Sequence, residues 1–153
     1  MSQGEAARGG EPWVQVVGAA IVDTLEAPTV LLAGRRSAPP ALAGLWEFPG
    51  GKQEPGEEAG EALLRELAEE LGVEAALGVE VPGPDAARGW PLKPGAWMRV
   101  FAVEVASGTP APLEDHDELR WLPLDAALVE AVDWIPADRD IVRAVVATLR
   151  PGG

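Results

Sequence analysis

The chain contains no cysteine, which removes disulfides, thiol nucleophiles and cysteine-ligated zinc together. Positive charge is also scarce: 12 lysines and arginines stand against 25 acids, a formal net charge of -13. That balance repels the polyanionic backbone of DNA or RNA, so a nucleic-acid polymer is not expected as a partner. No run approaches the roughly 20 apolar residues that span a bilayer, and the polar start has no signal-like apolar core. We therefore expect a cytoplasmic protein without membrane contact. Histidine occurs once and tyrosine not at all.

What is present fits one domain. A length of 153 residues with 47% hydrophobic content can bury a proper core, and we assign residues 12–153 to a single domain behind a disordered leader, 1–11. Apolar runs at Trp13–Asp23 and Thr29–Arg35 read as a hairpin. Ser37–Gly44 is a loop, and Leu45–Phe48 a short strand stopped by Pro49-Gly50-Gly51. A helix is expected from about Glu58 to Leu71, ended by Gly72. Val73–Val81 and Ala96–Val105 read as strands separated by a loop, Pro82–Pro94, and Leu119–Leu122 as a last short strand. Leu124–Val132 and Pro136–Leu149 read as helices, the second with proline near its start. Strands, a helix, more strands and terminal helices predict an α+β sandwich, a mixed sheet covered by helices.

The chemistry-bearing pattern lies on the first helix. Glu66, Glu69 and Glu70 are spaced i, i+3, i+4, which at about 100° per residue puts them on one face, beside a face carrying Leu63, Leu64, Leu67 and Leu71. Like charges on adjacent turns repel, so these acids either point into water or gather divalent cations, and hard oxygen ligands suit Mg²⁺ bound with substrate phosphates.

The flanks of this cluster decide between the two. Gly51, Glu57, Arg65, Glu66, Leu67, Glu69, Glu70, Gly72 and Val73 meet every fixed position of the pattern G-x(5)-E-x(7)-R-E-U-x-E-E-x-G-U, with U aliphatic, so the segment resembles the Nudix box. The resemblance implies the Nudix alpha/beta/alpha sandwich and Mg²⁺-dependent hydrolysis, Mn²⁺ substituting, of a nucleoside diphosphate linked to a further group. It implies that Glu57, Glu66, Glu69, Glu70 and the Gly51 carbonyl hold metal, and that Arg65 orients a box glutamate through its planar fork. Glu57 lies outside the helical periodicity, and its assignment rests on the family pattern alone. Gly50-Gly51 lets backbone approach phosphate or metal closely.

The stretch Leu45-Trp46-Glu47-Phe48-Pro49-Gly50-Gly51-Lys52 is similar to the MutT branch, nucleoside triphosphate pyrophosphohydrolases that release a monophosphate and pyrophosphate. By the same resemblance Arg36 is a phosphate-binding candidate. Asp115, six residues before Trp121, is the late acid that helps the metal site or takes the water's proton, and His116 beside it reads as a hydrogen-bond partner in a loop. Val132-Asp133-Trp134-Ile135-Pro136-Ala137-Asp138 resembles the base-contacting segment, with Asp138 where the 8-oxoguanine enzyme has asparagine. A carboxylate accepts the exocyclic amine of cytosine, whereas an amide both donates and accepts and fits a purine edge carrying O6. Sequences with Pro-Ala-Asp here include bacterial CTP pyrophosphohydrolases and mycobacterial MutT-like enzymes acting on dCTP and 5-methyl-CTP. The expected substrates are thus small nucleotides, (d)CTP or 5-methyl-CTP and oxidised nucleotides such as 8-oxo-dGTP. The alternative for Asp138 is a helix cap. Phe48 is a candidate for stacking on the base, although it also reads as core. Rival functions are ADP-ribose or other nucleoside diphosphate hydrolysis and a non-catalytic nucleotide-sensing regulator. Against the first, Arg88 stands where the ADP-ribose group has proline; against the second, no box glutamate is lost.

Overall fold

A computed structural model describes residues 12–150, so the expected leader at 1–11 lies outside the described residues. The observed architecture is the expected α+β sandwich. Eight strands among the described residues form one mixed sheet: β1 (Val14–Val22), β2 (Val30–Arg36), β3 (Trp46–Glu47), β4 (Gly50–Lys52), β5 (Glu74–Val81), β6 (Trp90–Lys93), β7 (Ala96–Ser107) and β8 (His116–Pro123). Two α-helices accompany them, α1 (Ala59–Leu71) and α2 (Arg139–Leu149).

The central strand β1 runs parallel to β7 from Val14↔Ala96 to Val22↔Glu104. Its nearly unbroken apolar sequence follows from burial on both faces. Val17, Ala19 and Ile21 pack with Leu63, Leu67 and Leu71 of α1, while Ala20 and Val22 belong to the opposite core with Ile141, Val142 and Val145 of α2. The period of two along the strand therefore feeds two helices at once.

Several expected boundaries move. β1 and β2 are antiparallel neighbours, but their register is confined to Ile21↔Leu32 and Val22↔Leu31, because lower on β1 the place beside it is taken by β4, with Val17 opposite Gly51. Pro49-Gly50-Gly51 thus does not end strand structure; it leads into β4. The expected loop Pro82–Pro94 contains β6, paired to β7 through Trp90↔Met98 and Pro91↔Trp97; Pro91 is tolerated at an edge, where its missing N–H removes nothing from the ladder. The last strand begins earlier than its apolar core, at His116, since Asp117 and Glu118 face Arg35 across the ladder. Leu124–Val132 holds a short 3₁₀ turn, Ala126–Glu130, capped by the Asp125 carboxylate accepting from Ala127 N–H at 2.9 Å. Pro136–Asp138 is likewise 3₁₀, and the regular helix starts at Arg139.

Candidate active site

The acid cluster is built by α1 and the strand before it. The helix opens with the Glu61 carboxylate accepting from Glu58 N–H at 3.0 Å and closes where Gly72, at φ 73°, donates to Ala68 O, a left-handed geometry suited to glycine. With Leu63, Leu67 and Leu71 buried, Glu66 lies against β4, and the three acids are covered to different depths. Glu69 is half exposed, Glu66 mostly covered, and Glu70 is only 6% exposed with Oε1 lacking a hydrogen-bond partner among the described residues. Burial first, then the charges of Glu66, Glu47 and Asp115, push Glu70 up to about 7, with His116 opposing. Burial also raises Glu66.

Arg65 ties the rest together. Its Nε and Nη2 donate to the two oxygens of Glu57 at 2.7 and 3.0 Å, and Nη1 reaches Glu66 at 3.2 Å and Glu69 at 3.3 Å. Nη2 also donates to Lys52 O at 3.1 Å. The Glu57 carboxyl is accordingly held below its usual range, chiefly by this hydrogen bond, and the guanidinium is held firmly charged. As they stand, no three acidic or histidine side chains among the described residues converge to chelate an ion; Arg65 engages three of the four box acids instead. Gly51 has its own reason. A Cβ there would lie 2.2 to 2.5 Å from the carboxylate carbon and oxygens of Glu66, so only glycine lets Glu66 rest on the strand.

A cleft of about 500 Å³ opens from Gly51 toward the C-terminal segment. Its lining includes Arg36, Glu47, Phe48, Gly51 and Asp138, none of which lies on the helix that carries the acids. Trp46 N–H donates to Asp133 O and Ile135 N–H to Trp46 O, both at 2.9 Å, which lays the Asp133–Asp138 segment along β3. Asp138 then sits 3% exposed, pushed up to about 7 by burial and by Glu47, with Phe48 N–H opposing. It precedes α2 without capping it: its side chain makes no cap hydrogen bond and its φ and ψ, -85° and -12°, are helical. Phe48 is 3% exposed and stacks on buried Trp134 at 5.5 Å and 26°, so this ring is both cleft wall and core.

Arg36 is half-buried, donating from Nη1 to Glu47 Oε2 at 3.1 Å and from Nε to Ala38 O at 2.9 Å. Asp115 is at the rim, its carboxylate half exposed and 4.0 Å from Arg36. His116 is no loop residue. It is the first residue of β8, its side chain fully buried, with Nε2 at 2.9 Å from Glu47 Oε2. Glu47 was missed as a site residue, although it lies inside the Leu45–Lys52 stretch. The signal was an acid alternating with Trp46 and Phe48 on a short strand, which reads as ordinary outward polarity until the sheet is assembled.

Such a fold, with the complete box on α1 and an open cleft beside it, is that of a Nudix hydrolase. The family model for the NUDIX domain matches residues 13–145, and the chain belongs to that family, in its MutT-like branch of enzymes acting on phosphoanhydride bonds. A Mycobacterium tuberculosis protein that carries the provisional name 8-oxo-dGTP diphosphatase 2 is 44% identical over 124 residues, covering 79% of this chain and 82% of its own. The Escherichia coli CTP pyrophosphohydrolase is 56% identical over 48 residues, 31% of this chain and 36% of its own. The solution structure of the E. coli ORF135 protein superposes with a TM-score of 0.70 at 33% identity, covering 93% of this chain and 96% of that one. No helix among the described residues is long and apolar enough to cross a membrane.

Proposed function

We propose that the protein hydrolyses a nucleoside triphosphate to the monophosphate and pyrophosphate in a Mg²⁺-dependent reaction, with cytidine nucleotides preferred and 8-oxo-dGTP a weaker substrate. The observation that carries this reading is the buried Asp138 carboxyl in the same cleft as Gly51, on which Glu66 rests. The relatives named for CTP and 8-oxo-dGTP support the substrate range.

The residues present fit a divalent cation. Glu70 Oε1 is buried with no hydrogen-bond partner among the described residues, and the hard oxygens of Glu57, Glu66, Glu69 and Glu70 with the Gly51 carbonyl match the donors that Mg²⁺ or Mn²⁺ takes. When bound, the ion neutralises charge on the phosphoryl oxygens and lowers the cost of activating water. Arg65 holds Glu57 by its two-pronged contact and keeps the acidic face assembled. Arg36, projecting into the cleft, binds phosphate oxygens, and Asp115 at the rim accepts the proton of the attacking water. Phe48 forms the apolar wall against the base, and Asp138 pairs with the base edge. Burial, and then the charge of Glu47, raise it to about 7; in its ionised form it accepts from the N4 amine of cytosine.

A panel of nucleotides assayed with Mg²⁺ tests the reading. Monophosphate and pyrophosphate should appear fastest from dCTP, CTP or 5-methyl-CTP, and EDTA should stop turnover. Release of orthophosphate, or a clear preference for ADP-ribose, would overturn it.

A further inference from the structure

The chain's one histidine is buried beneath the cleft and contributes nothing to its lining. The fold makes room for it: a Cβ on Gly34 would come within 2.7 Å of the His116 ring, so the imidazole fills the space left by an absent side chain on β2. Arg36 and His116 are ladder partners just past a register shift in the β2–β8 pairing. From there the two side chains converge on a single atom, Oε2 of Glu47, at 3.1 and 2.9 Å. Two donors on one oxygen fix the carboxylate plane and leave Oε1 with no hydrogen bond among the described residues, on a side chain that lines the cleft beside Asp138. Since a carboxylate accepts, Nε2 carries a proton, and Nδ1 lies buried without a hydrogen-bond partner among the described residues.

We propose that His116 is a positioning residue that fixes Glu47, so that Glu47 Oε1 is presented to the substrate as a second acceptor next to Asp138. The inference rests on the cleft being the nucleoside site proposed above. A single acid at Asp138 can satisfy one hydrogen of an exocyclic amine; a second, rigidly held acceptor satisfies the other, and it improves selection by being pre-oriented. Glu47 touches the substrate away from the reacting phosphorus, so its contact exists in ground and transition states alike, and its loss appears in KM.

The test combines kinetics with a measurement that needs no turnover. His116→Phe keeps an aromatic ring above Gly34 but has no donor, whereas His116→Gln can place an amide N–H near the Nε2 position. His116→Phe should raise KM for the preferred nucleotide about tenfold, the size of one lost specific contact, with kcat changed less than about threefold. His116→Gln should restore most of that loss and the base preference. A fall in kcat at constant KM would mean that His116 acts through Glu70, and equal defects in both variants alongside a lower Tm would make it mere packing; either overturns the proposal. Because there is one histidine, ¹⁵N NMR of the free protein reads its tautomer without ambiguity. A proton on Nε2, protected from exchange and exposed by Glu47→Ala, is expected; a proton on Nδ1 with none on Nε2 overturns the proposal. If wild type turns over no nucleoside triphosphate, the substrate reading fails, while the NMR result still decides whether His116 holds Glu47.

Discussion

Glu57, Glu66 and Glu69 share the guanidinium of Arg65, whereas Asp138, across the cleft, is buried against another acid, Glu47, with no cation in hydrogen-bond contact among the described residues. The acids on the first side are paired with a cation and partly wet, with Glu70 the buried exception, pushed up to about 7; on the second side Asp138 is dry and raised to a similar value. Their chemistry differs accordingly. Carboxyl groups gathered on one guanidinium at a partly wet surface suit cation binding, while a buried carboxyl near its titration point can discriminate between hydrogen-bond patterns on a base. Pairing with Arg65 thus sets Glu57, Glu66 and Glu69, which lie beside the cleft, apart from Asp138, which lines it. Substitutions on the two sides should therefore have different signatures.

The largest effect belongs to Glu70. Glu70→Gln removes a charge from the reaction side and should lower kcat by about 10² to 10⁵ with the fold retained; a kcat within threefold of wild type, measured beside an unchanged circular dichroism spectrum, would remove Glu70 from the machinery. Gly51→Ala comes next. The added Cβ displaces the Glu66 carboxylate, and a misplacement of this size costs about 10² in turnover, so a fully active variant would show that Glu66 need not rest on β4.

On the recognition side, Asp138→Asn should shift the ratio of cytosine to guanine turnover toward guanine by about ten- to a hundredfold, without abolishing activity. Equal loss on both bases would end the substrate argument. The same variant reports on stability. Asp138 is raised from 3.8 to about 7 by burial, so the folded state holds its proton where the unfolded state has lost it. Stability from this group is therefore complete below about pH 3.8 and is lost as pH rises to about 7, by at most about 4 kcal/mol. Denaturant unfolding of wild type and Asp138→Asn between pH 4 and 8 should show the variant falling less; parallel curves would place the carboxyl in water. The smallest effect is the control, Glu61→Gln, where glutamine can replace the acid as acceptor for Glu58 N–H; both kcat and Tm should stay nearly unchanged.

The reaction side was readable because it is local. Gly51 through Val73 is one strand end, one turn and one helix, and helical periodicity alone places Glu66, Glu69 and Glu70 together. Arg65 could be assigned to a box glutamate only through the family pattern, and its contact with Glu57, eight residues away, depends on how the turn before α1 folds back. β6 was hidden in the proline-rich stretch because an edge strand needs few donors, and the start of β8 because charged residues paired with Arg35 obscure a strand pattern.

The sequence by itself determined the family, the α+β class and the acidic helix face, since each is read from local patterns of residue type and spacing. Only the tertiary structure decided how acidic each acid is and what it faces. Burial of Glu70 and Asp138, the stacking of Phe48 on Trp134, and the meeting of Arg36 and His116 on Glu47 join segments far apart in the chain, 69 residues for His116 and Glu47. Desolvation and long-range pairing depend on which surfaces close over one another, and no local spacing encodes that.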